Sequence, residues 1–190
     1  MINTPILIMM TNWNVGFGGS ISGGYSIGDF VAHPRVWTLV MTADYLAQRN
    51  RWNMKLGYVK YNTNPIGWWE NPLCPYGQGL ILEALWGRDL FYAIRPEAGV
   101  VFYALRNYAA GGDFQFPAGF TLGLSVGNSD YGFEGFLGYR WEIWRLKGYW
   151  GHYGVSQPLF DTDEDAPAFF RLYSLTLHIN LYLYQNQESP

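Results

Sequence analysis

The chain has 190 residues, a length that suits one domain, and carries a formal net charge of −3, which argues against a nucleic-acid partner. Charged residues make up only 14% of the sequence, against about 25% in an average soluble protein, whereas aromatic residues reach 19%. The sequence contains no run of about 18 apolar residues, so it encodes no transmembrane helix.

The first predicted strand, residues 12–27, alternates between a bulky apolar face and a small polar face. The polar face consists of Asn, Gly and Ser and carries no charge. A period of two predicts a strand. A soluble sheet usually covers its wet face with charged residues, whereas small polar residues fit a crowded interior. The pattern therefore predicts a transmembrane β-barrel with its apolar side towards lipid.

The alternation and the turn residues predict ten strands, of which those at 80–86 and 90–95 have the weakest pattern. A Pro-Glu-Ala-Gly sequence at 96–99 is interpreted as a turn. In chain order, the predicted strands are 12–27, 35–46, 51–62, 80–86, 90–95, 100–106, 116–127, 131–143, 146–155 and 169–184. We predict one all-β domain over 1–190, an antiparallel up-and-down transmembrane barrel of ten strands, or of eight if 80–106 holds fewer. Residues 1–10 are expected to form an N-terminal segment.

The last predicted strand, 169–184, has a purely aliphatic band bounded by aromatic residues on its outer face. Such a band is typical of a lipid belt with an aromatic girdle. An even number of strands places both termini on one side of the barrel. The two longest loops, 63–79 and 156–168, fall together on the other side, which in bacterial barrels faces outside the cell.

These patterns resemble those of the small Gram-negative outer-membrane barrels, the class that includes the OmpX and OmpA barrels, the omptins and the lipid A-modifying enzymes. The resemblance covers most of the chain and is one of pattern, with no specific motif. It implies a bacterial outer-membrane location and a role as a small porin-like channel or as a surface-exposed scaffold or binding protein. Barrels of this class usually end on an aromatic residue, so Tyr184 followed by 185–190 implies a C-terminal tail. Residues 6–10 are too short for a secretion signal, and we expect the signal peptide to be absent from this sequence.

Charged residues on predicted inner faces form the first candidate site. Four acids and four bases share this orientation, and a charge in a narrow lumen must be paired or hydrated. The eight residues are Asp44, Lys55, Glu83, Arg95, Arg106, Glu134, Arg140 and Glu142. Their balance predicts a self-neutralising network that plugs the barrel, and the alternative is a gated polar path for ions or small solutes.

Basic residues on outer faces form the second candidate site. Arg35, Lys60 and Arg171 take the lipid-facing parity near the rim with the long loops, and His33 lies beside Arg35 in the sequence. Guanidinium groups bind phosphate bidentately, so this rim fits the phosphates of lipopolysaccharide. The alternative is that these side chains only snorkel towards the membrane interface. Membrane lipid is the expected partner in both cases, and lipopolysaccharide in the first.

Catalytic, cofactor and metal sites are not predicted. His152 and Ser156 would lie about 13 Å apart on an extended strand, too far for a nucleophile and its base. The acidic run 161–165 lacks the Gly of an EF-hand loop, and Cys74 has no Cys partner. Two other functions remain open, an enzyme that modifies lipid A and a soluble barrel that binds sugar or an apolar ligand.

Overall fold

The computed structural model describes residues 13–27, 35–47, 49–62, 76–90, 94–107, 114–127, 132–146 and 168–184. All regular elements in these ranges are β-strands. They are β1 (Trp13–Ile27), β2 (Arg35–Ala47), β3 (Asn50–Asn62), β4 (Tyr76–Arg88), β5 (Ile94–Asn107), β6 (Phe114–Gln115), β7 (Ala118–Val126), β8 (Phe133–Leu146) and β9 (Ala168–Tyr184). None of the ranges holds a helix long and apolar enough to cross a membrane.

The strands form a closed antiparallel barrel. Strands that follow each other in the chain are paired, except that β6 and β7 both pair with β5, and β1 closes the circle by pairing with β9. Closure leaves no sheet edge with unpaired backbone groups. This result confirms the all-β antiparallel fold.

The short strand β6 and the following strand β7 behave as one interrupted strand. Both pair with β5 in a single register, in which Leu105 lies opposite Gln115 and Phe102 opposite Ala118. Pro117 stands between them, and its carbonyl accepts the Tyr103 N–H at 2.9 Å. Proline has no N–H to return, so the ladder is interrupted without a change of register. Counted this way, the described barrel has eight strands.

The predicted count of ten strands is not confirmed, because 90–106 does not contain two strands. β5 runs without a break from Ile94 to Asn107, so the turn predicted at 96–99 is wrong. Pro96 lies one residue beyond the last residue pair between β5 and β4. Its missing N–H therefore removes no hydrogen bond between these two strands. The predicted strand 146–155 begins where β8 ends, and its remainder lies outside the described residues.

The register tilts the strands about the barrel axis. Following paired residues around the barrel from Gly16 leads back to Ser26, ten residues further along β1. Such a stagger tilts the strands of a small barrel by about 35–45°. Eight strands at this tilt enclose an interior that side chains can fill.

The two ends of the barrel differ in the length of their connections. At one end, which we call the loop end, the strands are joined by 28–34, 63–75, 108–113 and 147–167. At the other, the turn end, the strands are joined by 48–49, 89–93 and 127–132, and β1 begins and β9 ends there. In bacterial outer-membrane barrels the short turns face the periplasm and the long loops face outwards.

The side chains alternate between a buried interior and an exposed outer wall. All eight strands carry large exposed apolar residues on the outer wall, such as Leu39 at 64%, Leu80 at 58% and Phe120 at 61% exposure. On the inner face of β1, the Ser20 hydroxyl is hydrogen-bonded to Thr38 and the Ser22 hydroxyl to Thr176, both at 2.7 Å. Small polar residues on one face and bulky apolar residues on the other thus take the orientation that the alternation predicts.

Candidate functional site

The interior contains a central ionic cluster, which we define as Lys55, Glu83, Arg140 and Glu142. The Glu83 carboxylate accepts hydrogen bonds from Arg140 Nη2 at 2.9 Å and from the Thr121 hydroxyl at 2.8 Å. Lys55 Nζ lies 3.2 Å from its second oxygen. These groups come from β3, β4, β7 and β8, so the cluster ties opposite walls together across the lumen.

Glu142 is held by two tyrosines from the other side of the barrel. Tyr61 on β3 donates its hydroxyl to one carboxylate oxygen at 3.3 Å, and Tyr103 on β5 donates to the other. Lys55 Nζ also lies 5.2 Å from the centroid of the Phe136 ring. Burying these charges is tolerated because each has partners, whereas an isolated buried charge costs several kcal/mol.

A second group of charges, the turn-end cluster, fills the lumen nearer the short turns. It consists of Asp44, Arg51, Arg95, Glu97 and Glu134. Arg95 Nε donates to Glu97 Oε1 at 2.6 Å, and Arg95 also pairs with Glu134. Arg51 Nη1 lies 3.4 Å from Glu134 and 3.9 Å from Asp44. Ionic contacts thus run across the barrel at a second level.

Neutral polar side chains complete the turn-end cluster. The Tyr182 hydroxyl donates to Glu134 Oε2 at 2.5 Å, and the Ser125 hydroxyl donates to Glu97 Oε2 at 2.6 Å. Asn53 donates to Asp44. His178 is buried in the lumen, where it is hydrogen-bonded to Asn180.

The lumen at the loop end is apolar, which the sequence analysis did not predict. Nine buried side chains from β2, β3, β4, β5 and β9 pack there in one cluster, which we call the apolar layer. They are Val36, Val40, Val59, Tyr61, Ile81, Val101, Tyr103, Leu105 and Leu172. Tyr61 and Tyr103 belong to this layer, and their hydroxyls reach Glu142 of the central ionic cluster. The apolar layer therefore adjoins that cluster, since Val101 lies opposite Glu83 and Leu172 opposite Glu142.

Seven of the eight charges predicted to face inwards are buried in the two clusters. Arg106 is the exception and requires a correction, because it is exposed on the outer wall of β5. A continuous β5 gives opposite orientations to residues 95 and 106, since side chains alternate along a strand. The predicted turn at 96–99 had reset the alternation and turned Arg106 inwards.

Two members of the turn-end cluster escaped prediction. Glu97 fell within the predicted turn at 96–99 and was therefore not assigned to a face. Arg51 starts its strand with the inward parity, opposite to Trp52, and this signal was present in the sequence. With these two residues the described lumen holds five acids and four bases in its clusters.

The predicted basic rim lies on one side of the outer wall at the loop end. Arg35 lies at the start of β2, Lys60 near the end of β3 and Arg171 near the start of β9, all on the outer wall. Lys60 Nζ lies 6.0 Å from the centroid of the Trp37 ring. Arg106 joins this end of the barrel, on β5. His33 lies outside the described residues.

The described residues contain no group of three or more His, Cys, Asp and Glu side chains that could hold a metal ion. The acidic run 161–165, Cys74, His152 and Ser156 lie outside the described ranges. The candidate sites within the described residues are therefore the polar lumen and the charged residues at the two ends of the outer wall.

This fold places the described chain among the closed eight-stranded antiparallel β-barrels. Within that class, the crystal structure of Neisserial surface protein A matches it with a TM-score of 0.51, over 89% of this chain and 96% of that one. The two sequences are 14% identical, so the likeness is one of fold. No family model matches the chain, and no curated protein matches it significantly. The structural match is consistent with the resemblance to small Gram-negative outer-membrane barrels.

Proposed function

We propose that this chain is an integral β-barrel of a bacterial outer membrane that serves as a surface-exposed scaffold or binding protein. The observation that carries the proposal is the combination of an apolar outer wall with an ionic interior. Every strand exposes large apolar residues on the outer wall, whereas the charged residues of the two clusters are buried in the lumen. Exposed apolar surface of this extent must be shielded from water. A closed barrel can be embedded in the hydrocarbon core of a membrane, which would shield it.

The alternative of a soluble barrel fits this arrangement poorly. A soluble ligand-binding barrel turns its apolar side chains towards the cavity and its polar side chains towards water. Here Arg140 and Glu83 are each 1% exposed, whereas Leu183 is 76% exposed. The proposal therefore assigns the outer wall to lipid and the connections of the loop end to the cell exterior.

The filled lumen favours a scaffold over an open channel. The two ionic clusters cross the barrel at different levels, and the apolar layer packs against the central cluster inside the lumen. A solute would have to separate buried ion pairs and cross a layer that offers few polar groups, and both steps are costly. A barrel sealed in this way acts as a stable support for the connections at its loop end.

Reconstitution into lipid vesicles tests this proposal. We expect the refolded chain to run faster on a gel without boiling than after boiling, to require detergent or lipid for solubility, and to give no steps of conductance in a planar bilayer. A chain that stays monodisperse in plain buffer would contradict the membrane assignment. Steady single-channel steps would instead contradict the sealed lumen.

A second property, binding of lipopolysaccharide, is favoured by the charges on the outer wall at the loop end. Arg35, Lys60, Arg106 and Arg171 all lie there, and no acid shares that part of the described outer wall. Lys60 sits beside the Trp37 ring, which combines a cation with an amphipathic aromatic group. The phosphates of lipopolysaccharide carry the opposite charge and would lie at this height.

The double variant Arg35→Gln with Arg171→Gln tests this binding. We expect it to weaken the affinity for lipopolysaccharide in detergent by about tenfold or more, because two charged hydrogen-bond donors to phosphate are lost. The matched control is Arg35→Lys with Arg171→Lys, which keeps both positive charges at the rim and should weaken the affinity less. Equal affinities of the two double variants would contradict a specific basic rim.

A further inference from the structure

The outer wall at the turn end carries a hollow between aromatic side chains. Trp13 and Tyr45 are paired there with ring centroids 5.3 Å apart, and Trp52 and Trp86 with centroids 6.5 Å apart. The hollow has a volume of about 470 Å³. Its lining is formed by Trp13, Tyr45, Trp52, Asn53, Met54, Ala84 and Leu85. A volume of this size accommodates part of an acyl chain.

Two exposed arginines stand at the turn-end edge of this hollow. Arg88 lies on the same face of β4 as Trp86, two residues nearer the turn, and opposite Asn50 on β3. Arg49 lies in the adjoining turn, where its carbonyl accepts the Asp89 N–H at 2.8 Å. This bond places the backbone of the turn beside the end of β4, and the side chains of Arg49 and Arg88 are both exposed there.

These arginines are available for a ligand. Neither makes an ion pair or a hydrogen bond through its guanidinium to any residue within the described ranges. The nearest acid, Asp89, is engaged elsewhere, because its carboxylate accepts a hydrogen bond from Arg95 at 3.2 Å. Exposed guanidinium groups attract phosphate and can bind it bidentately.

We infer that this edge and hollow form a binding site for an anionic phospholipid. The phosphate would be bound by Arg49 and Arg88, and an acyl chain would run along the outer wall past Trp52 towards Met54 and Ala84. Ala84 lies four residues from Arg88, a distance of about 13 Å along the strand, which a lipid chain covers. The inference rests on the proposed membrane location, since it places the turn end at a layer of lipid headgroups.

The charge of the surroundings selects the headgroup. Arg49 and Arg88 bring two positive charges, and Asp89, the only acid among the described residues of this edge, is already paired. A headgroup with a net negative charge therefore gains more than a zwitterionic one, whose own ammonium is repelled. Phosphatidylglycerol is accordingly expected to bind better than phosphatidylethanolamine with the same acyl chains.

Native mass spectrometry of the detergent-solubilised protein, titrated with these two lipids, tests the inference. We expect the wild type to retain phosphatidylglycerol in preference to phosphatidylethanolamine, and Arg49→Gln with Arg88→Gln to weaken phosphatidylglycerol binding by about tenfold. The control is Arg49→Lys with Arg88→Lys, which keeps both positive charges at the same positions and should weaken binding less. Equal retention of both lipids by the wild type, or equal losses in both double variants, would overturn the inference.

A second pair of variants tests whether the acyl chain contributes to binding, or only the phosphate group. Ala84→Phe fills the hollow without changing charge and should weaken phosphatidylglycerol binding, whereas Ala104→Phe, on the outer wall of β5, should not. Glycerol 3-phosphate, which lacks acyl chains, should fail to compete with the lipid. Unchanged binding by Ala84→Phe, or full competition by glycerol 3-phosphate, would refute the lipid site.

Failure of this inference can be told from failure of the proposed function. Each variant is first refolded in vesicles and checked for the faster gel mobility of the folded barrel. A barrel that folds in lipid but shows no preference for phosphatidylglycerol refutes only the lipid site. A chain that never requires lipid or detergent refutes both, because the outer wall then has no bilayer to face.

Discussion

Arg140 and Glu83 show how single residues determine the nature of this lumen. Each is 1% exposed, and the pair is joined by a hydrogen bond of 2.9 Å. Lys55 balances the second oxygen of Glu83, and Glu142 is satisfied by two tyrosine hydroxyls. Removing one member leaves its partner charged and buried, which is more costly than losing the pair altogether.

The substitution Arg140→Leu should therefore destabilise the barrel strongly. We expect a loss of about 3–5 kcal/mol in the free energy of unfolding, measured by urea titration in vesicles with gel mobility as the readout. The double variant Glu83→Leu with Arg140→Leu should lose less than the sum of the two single variants, because neither residue of the pair is then left charged and buried without the other.

Arg106→Leu is the matched control, since this arginine is exposed on the outer wall. It should change the free energy of unfolding by less than about 1 kcal/mol. A loss at Arg106 as large as that at Arg140 would contradict the assignment of the two residues to opposite faces.

Residue-level prediction from sequence succeeds or fails with the phase of the alternation. Asp44, Lys55 and Glu134 lie on strands whose phase was correct, and they are buried. Arg106 was turned inwards because a proline was interpreted as the end of a strand. The partners of each charge could not be predicted at all, since they come from strands far apart in the chain, such as Glu83 and Arg140.

At the scale of the elements, β1 is shaped by close contact with its neighbour β9. Gly16 lies where the register between these strands shifts, and a Cβ there would collide with the backbone of Leu181 and Tyr182. Gly23, on the outer wall of the same strand, has no heavy atom within 4 Å of such a Cβ. A side chain would therefore be accommodated at Gly23 but not at Gly16.

Replacing each of these glycines by alanine tests this difference. Gly16→Ala should destabilise the barrel by about 1–3 kcal/mol, because only a backbone shift can relieve the overlap. Gly23→Ala should remain within about 0.5 kcal/mol of the wild type. Urea titrations of both variants measure the effect, and equal stabilities would show that β1 and β9 do not approach as closely as the structure has them.

The elements predicted best are those with long, uninterrupted alternation. The predicted strands 35–46 and 51–62 differ from β2 and β3 by one residue at an end, and 169–184 differs from β9 by one residue. β5 was divided because Pro96 and Gly99 are common in turns. In the structure, pairing with β7 on one side and with β4 on the other keeps these residues in a strand, and the sequence of β5 alone does not contain that information.

At the scale of the whole molecule, closure distinguishes this barrel from an open sheet. The pairing of β1 with β9 joins the first and last strands, and eight strands then suffice for a lumen that side chains fill. The sequence predicted the orientation of the two faces but not the apolar layer at the loop end. Its members lie on five strands, and only the register of the barrel brings them together in one cluster.

The central claim is that the aromatic and aliphatic outer wall faces hydrocarbon. The most direct measurement is the fluorescence of the tryptophans after refolding in vesicles whose lipids carry bromine on their acyl chains. Trp37, Trp52 and Trp86 are exposed on the outer wall, so we expect strong quenching relative to unbrominated vesicles. Emission that is unaffected by bromine in a fully folded barrel would show that another surface, or none, meets the membrane.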